Sequence, residues 1–309
     1  VQIYLPIAEI SVNMFVIFGM GGAVGFLSGL FGIGGGFLLT PLLIFSGIPP
    51  AVAVATVTTQ IVASSSSGVL AYWRRGAIDT KMATVLLIAG IVGSAIGAWL
   101  FKILQSLGQL DVVISLSYVT FLGAIGSLML VESIGAIRRR RTGTGRVARL
   151  PGQHNWIHGL PFKMRFRQSK LYVSVIPILA LGSGIGFLGT VLGIGGGFMM
   201  VPALIYLLRM PTSIVVGTSL MQILFTMAAA TILHAMTTQT IDIVLALLLM
   251  VGGVIGAQFG ARMGQKLRGD QLRLLLALLV LSVGVRFAVD LLVTPDEFFS
   301  IAVKGGAGT

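Results

Sequence analysis

The chain has 309 residues, 56% of them hydrophobic and only 10% charged, whereas a soluble domain is about 45–50% apolar and about 25% charged. Its mean hydropathy is +1.00, and nine acidic residues cannot supply the charged surface that a soluble core of this size needs, so a soluble helical protein is excluded. The formal charge of +12 does not indicate nucleic acid, because its basic residues gather beside apolar segments, and the lack of cysteine excludes disulfides, thiolate catalysis and cysteine metal sites.

Residues 1–11 carry Pro6 and Glu9 and predict a short interfacial lead. The start at Val1 rather than Met points to a processed or truncated N-terminus, and residues 12–30 are not read as a signal peptide because no basic stretch precedes them. Asn13 to Leu30 is an apolar run with five glycines at 19, 21, 22, 25 and 29, which predicts close packing against neighbouring helices. The string Gly32-Ile33-Gly34-Gly35-Gly36-Phe37 then interrupts it, with Pro41 five residues after the last glycine. Phe37 to Phe45 is too short to span a bilayer alone, since a spanning helix needs about 17–25 residues. A glycine-broken or re-entrant helix is expected here.

Pro49 and Pro50 open a segment over about 51–73 whose middle is polar: Thr56, Thr58, Thr59, Gln60 and Ser64 to Ser67. Arg74 and Arg75 close it. Further spans are predicted over 83–101 and 112–134. The interval 135–170 is a basic loop with ten Lys and Arg and no Asp or Glu, read as cytoplasmic by the positive-inside rule, with anionic lipid headgroups as its simplest partners. It has room for a short amphipathic surface segment but for no independent domain.

The plan then repeats. Residues 171–191 lead into Gly193-Ile194-Gly195-Gly196-Gly197-Phe198, with Pro202 in the matching place, 161 residues after the first copy (32 to 193). A short partner over 196–208 follows, then spans over about 213–235, 241–261 and 271–293. The third of these five segments carries Thr218, Ser219, Gln222 and Thr226. With five crossings per half and a cytoplasmic central loop, every basic position between segments except Lys102 falls inside. An odd count also forces the halves to face opposite ways. The expected fold is therefore an all-α polytopic membrane protein of two inverted repeats with about five transmembrane segments each. The halves are 1–134 and 171–309, joined by the 135–170 loop.

A backbone break at membrane depth requires that its polar groups face protein or a water-filled cavity. After Gly36 and Gly197 a helix resumes, so its free N–H groups and positive dipole end are available to an anion. The candidate substrate site is therefore the backbone at Gly34, Gly35, Gly36 and Gly195, Gly196, Gly197. It is joined by Thr56 and Gln60 on one helix face and by Thr218 and Gln222 on its counterpart, each pair four residues apart. Plain helix packing and interhelical hydrogen bonding are the competing explanations for these same residues. The glycine strings are not dinucleotide fingerprints or phosphate loops, lacking a preceding strand, a ribose-binding acid and a Lys-Ser/Thr ending.

The remaining polar residues have structural readings. Asp79 and Asp242 are expected to cap the fourth and ninth segments. Arg286 and Asp290 are spaced for an i,i+4 pair. Glu132 is placed to meet the basic loop, and His234 reads as a surface histidine near the end of its span. His154 and His158 have no ligating partners, so no metal or other cofactor is expected.

The duplicated glycine string with its proline, the Thr56–Gln60 and Thr218–Gln222 segments, and the strings Gly93-x-x-x-Gly97-Ala98 and Gly252-Gly253-x-x-Gly256-Ala257 together resemble the TauE/SafE sulfite exporter family, also called the four-toluene sulfonate uptake permease family. The resemblance covers nearly the whole chain outside the 135–170 loop, which is the departure. It implies a non-enzymatic permease of the bacterial inner membrane that moves small anions such as sulfur oxyanions or organosulfonates, with protons as the usual coupling ion. An anion channel is the alternative, and a membrane-embedded enzyme a weaker one.

Overall fold

The computed structural model describes residues 2–31, 35–141, 161–166, 168–169, 171–208, 210, 212–264 and 269–292. Among the described residues ten helices form in the expected order. The first five are α1 (Met14–Phe31), α2 (Gly36–Phe45), α3 (Pro50–Arg74), α4 (Thr80–Ser106) and α5 (Leu110–Arg141). The second five are α6 (Val175–Leu192), α7 (Gly197–Tyr206), α8 (Thr212–Thr237), α9 (Ile243–Gly264) and α10 (Gly269–Leu292). Six of them are long and apolar enough among the described residues to cross a membrane: α3, α4, α5, α6, α8 and α9. The protein is an all-α, multi-pass membrane protein.

Each half is preceded by a small antiparallel hairpin. The first joins β1 (Gln2–Leu5) to β2 (Ile10–Asn13), and the second joins β3 (Lys163–Phe166) to β4 (Leu171–Ser174). Strand for strand they sit 161 residues apart, the spacing of the glycine strings. Leu5 and Phe166 turn inward at matching places and are fully buried. Asn13 and Ser174 then accept hydrogen bonds from Phe15 N–H and Ile176 N–H, 3.0 and 3.3 Å, and start the two first helices. The second hairpin lies across the 170/171 boundary between loop and second half.

The basic loop begins later than expected. Helix α5 continues through Arg141, so residues 135–141 are its last turns. Arginine is a good helix former, and positive charge at a helix C-terminus complements its dipole. His154 and His158 lie outside the described residues, as do the side chains of Glu132 and Asp290, so the expected pairings of Glu132 and of Arg286 with Asp290 are not described. The Arg286 guanidinium itself stands 5.6 Å from the centre of the Phe45 ring.

Pairing of helices follows one rule across both halves. Helix α1 packs on α9 and α6 on α4, while α3 lies against α8 and α5 against α10. Renaming each helix as its counterpart in the other half leaves this set of pairs unchanged. The first two pairs run parallel: Gly21, Gly25 and Gly29 lie on Leu249, Gly253 and Ala257, and Gly182 and Gly186 lie on Leu86 and Gly90. The counterpart helices run antiparallel. Thr58 bonds Thr231 at 2.9 Å while Gly68 meets Leu220, and Gly126 meets Leu281 while Gly284 meets Leu122.

The small-residue strings of the sequence are the seams of the parallel pairs. A methyl group on Gly25 would collide with the Gly253 carbonyl oxygen, and one on Gly186 with the Gly90 carbonyl oxygen. Backbone approaches backbone there, and dispersion between closely set helices replaces the hydrophobic drive that lipid removes. Gly25→Ala and Gly186→Ala are expected to cost about 1–3 kcal/mol each by overpacking. Gly19→Ala, where a methyl group meets nothing within 4 Å, is expected to leave thermal stability in detergent unchanged or slightly raised. Equal melting temperatures for all three variants would refute the seam.

Candidate functional site

Helices α2 and α7 begin at glycines in the left-handed region, Gly35 with φ 71° and Gly196 with φ 73°. Only glycine adopts that conformation cheaply. The αL residue reverses the chain, and the Gly35 and Gly196 carbonyls accept the first helical bonds from Leu38 and Met199 N–H, 3.2 and 3.1 Å. The first N–H groups of each helix have no partner within the helix itself. They lie at the positive ends of the two helix dipoles.

The two breaks meet. A Cβ on Gly36 would lie 2.7 Å from the Gly193 carbonyl oxygen and 3.0 Å from that of Ile194. The Phe37 and Phe198 rings pack with centroids 5.1 Å apart. Ile61 of α3 fills the junction, touching the positions of both Gly36 and Gly195. Gly35, Gly36 and Gly193 to Gly197 are all buried. Gly32, Ile33 and Gly34 lie outside the described residues, so the expected part of Gly34 is not described.

The carbonyls that end α6 are collected by side chains from three other helices. Tyr118 of α5 donates to Leu192 O at 2.5 Å, and Thr40 of α2 donates to Gly193 O at 3.3 Å. His234 of α8 lies 3.1 Å from Thr190 O through Nε2. A carbonyl only accepts, so Nε2 carries the proton. His234 is therefore not the surface histidine expected: it is fully buried, with its ring edge-on to Phe101 at 4.7 Å. A position near a helix end suggested exposure, but α4 and α6 both pack over it.

The polar faces divide into two kinds. Thr56 and Thr218 are tied into the fold: Thr56 Oγ1 accepts from Asp242 N–H at 3.1 Å, and Thr218 Oγ1 accepts from Asp79 N–H at 3.0 Å. The expected caps are present, since the Asp79 and Asp242 carboxylates accept from Met82 and Leu245 N–H at 3.2 and 3.0 Å. Their second oxygens hold the tips of the hairpins. Asp242 Oδ2 accepts from Ile7 N–H at 3.0 Å, and Asp79 Oδ2 accepts from Ser169 N–H and Oγ–H at 2.9 and 2.7 Å. Each hairpin tip is thus joined through a buried aspartate to a threonine of α3 or α8.

The glutamines are different. Gln60 is fully buried, and neither its amide oxygen nor its amide nitrogen has a hydrogen-bond partner. Gln222 donates from Nε2 to Thr226 Oγ1 at 3.0 Å, while its Oε1 is without a partner. Gln60 abuts Gly253 of α9, and Gln222 abuts Gly90 of α4. The structure thus brings the glycine breaks together but sets the two amides against different helices. Ser64, Ser66 and Ser67 bond carbonyls of their own helix, whereas Ser65 Oγ and Thr59 Oγ1 are buried without partners.

Ile61, Tyr118, Thr40 and the hairpin tips escaped the reading of the sequence. The match of Thr40 and Tyr118 to a carbonyl more than 70 residues away has no local signal. The hairpins had one, the 161-residue offset carried upstream of the glycine strings.

This arrangement offers neutral donors and dipole ends around a buried junction. Among the described residues, no Lys or Arg is buried, and no group of three or more His, Asp or Glu could hold a metal ion. The profile of the sulfite exporter TauE/SafE family matches residues 17–287, from within α1 to within α10. The chain belongs to that family. It is similar to a probable membrane transporter protein of Xylella fastidiosa (strain 9a5c), 29% identical over 88% of this chain and 94% of the relative. YunE, a probable membrane transporter protein of Bacillus subtilis, is 26% identical over 88% of this chain and 96% of its own length. Sulfite exporter TauE/SafE family protein 3 of Arabidopsis thaliana is 31% identical over a shorter stretch, 41% of this chain and 27% of that protein. No solved structure matches the chain.

In this TauE/SafE chain the threonines and aspartates make a prediction separable from transport. Thr218→Val keeps the shape but strips Asp79 N–H of its acceptor, and a buried donor left unsatisfied costs about 1–3 kcal/mol. Thr218→Ser is expected to restore most of that in thermal unfolding of the purified protein. If valine is as stable as threonine, the Asp79–Thr218 bond is not structural.

Proposed function

We propose that the protein is a secondary transporter of a small anion, a sulfur oxyanion or organosulfonate, working by alternating access in a bacterial inner membrane with its central loop cytoplasmic. The observation that carries this reading is the buried, unpartnered Gln60 amide on the helix whose Ile61 seats both glycine breaks. Buried polar groups in a membrane protein are expensive unless something bonds them. A site that is buried, polar and without a fixed positive charge binds an anion without holding it too tightly to release.

In this reading the anion is held by the first N–H groups of α2 and α7, with Gly34, Gly35, Gly36, Gly195, Gly196 and Gly197 allowing close approach. Gln60 and Gln222 supply amides, and Thr56 and Thr218 keep those helices registered with the caps of α9 and α4. We further read the halves as inverted repeats. The antiparallel course of α3 with α8 and of α5 with α10 supports it, as does the exchange symmetry of the helix pairs. Inverted repeats of this kind rock about a central site in other transporters. The family and its relatives named as probable membrane transporters support transport over catalysis. A proton gradient is the energy source we propose.

Proteoliposome uptake of sulfite, sulfate, thiosulfate, taurine, sulfoacetate and acetate, with and without an imposed pH gradient, tests this. Saturable uptake of at least one sulfur anion is expected, stimulated by the gradient. Gln60→Ala and Gln222→Ala are each expected to lower it roughly tenfold or more, the worth of a hydrogen bond to a charged group. Flux unchanged in both folded variants would remove the glutamines from the site.

A further inference from the structure

The Gln60 amide has a specific shape of need. Its neighbours one turn away on the same helix are already engaged, Thr56 with Asp242 N–H and Ser64 with Ile61 O. On the facing helix α9 it lies against Gly253. Its nitrogen and its oxygen are both without partners, so the amide has the same unmet need whichever way it is turned. A primary amide presents an N–H donor and a C=O acceptor side by side. Its complement is a group that offers an acceptor and a donor side by side, as in the X(=O)–OH edge of a half-protonated oxyanion. A fully deprotonated oxyanion has acceptors alone and would press one of its oxygens against Gln60 Oε1.

Charge points the same way. Among the described residues no Lys or Arg is buried, and the positive potential comes from two helix N-termini worth about half a charge each, offset in part by the α6 carbonyls that end at the same junction. That is too little to balance more than one negative charge, and a second would stand uncompensated in a low-dielectric site. We propose that Gln60 selects singly charged anions that carry their own hydrogen-bond donor, so that for an ionisable oxyanion the transported form is the hydrogen anion. A proton then crosses as part of the substrate. The dependence of transport on pH follows the substrate's ionisation rather than that of a side chain. This rests on the reading of the junction as an anion site.

Two probes of nearly equal shape separate the ideas. At mildly acidic pH, methylphosphonate is mainly the hydrogen monoanion, with one O–H, and methanesulfonate is a monoanion with none. Binding of each to the purified full-length protein is measured by calorimetry. Methylphosphonate is expected to bind about tenfold or more tightly than methanesulfonate, and to lose that advantage as rising pH converts it to the dianion. In Gln60→Met, which keeps the length and loses the amide, the ratio is expected to fall toward one. Equal binding of the two probes to the unaltered protein overturns the donor requirement and leaves the anion site standing. If neither probe binds and none of the sulfur anions is taken up, the anion site itself falls, and this inference with it.

Discussion

The fold depends on one constraint: a helix that ends buried inside the protein must find partners for its last carbonyls, because a buried polar group left unpaired is costly. Helix α6 ends at Leu192, and its end is held by a tyrosine from α5, a threonine from α2 and a histidine from α8. Three distant parts of the chain converge on one helix end. Those side chains are consequently committed to the break, and the break is the place where α2 and α7 begin. Its stability and its position are a single property.

The same logic organises the ends of α4 and α9. A buried aspartate is acceptable only when its oxygens and backbone are satisfied. Asp79 and Asp242 achieve this by bonding their own helix, a hairpin tip and a threonine of the opposite half. The hairpins are therefore parts of the repeats rather than appendages. They connect the start of each half to a helix of the other half, and the same aspartates bond α4 to Thr218 and α9 to Thr56. From there the glutamine is one helical turn away.

Against this background of satisfied groups, the unsatisfied ones stand out. Thr56 and Thr218 looked in the sequence like equals of Gln60 and Gln222, four residues off on the same faces. Packing separates them. The threonines hold helices together, whereas Gln60 has both amide atoms unoccupied and Gln222 has one. The halves are thus related but not identical at the site: Thr226 serves Gln222, while Ser64 in the corresponding place turns to its own backbone.

The amino-acid sequence by itself determined that the protein is a membrane protein, where its ten helices lie, and that its two halves repeat. Apolar content, helix-length runs and a repeated string are local or one-dimensional signals, and the aspartate caps were legible for the same reason. It also marked the strings in which α4 meets α6 and α9 meets α1, because only small residues permit such contact. The tertiary structure decided which helices pair, that the glycine breaks touch, that His234 is buried and that the two glutamines face different helices. Each of those depends on groups brought together from positions far apart in the chain. In a membrane, where nearly every surface residue is apolar, hydrophobic pattern no longer tells inside from outside. Only the packing does.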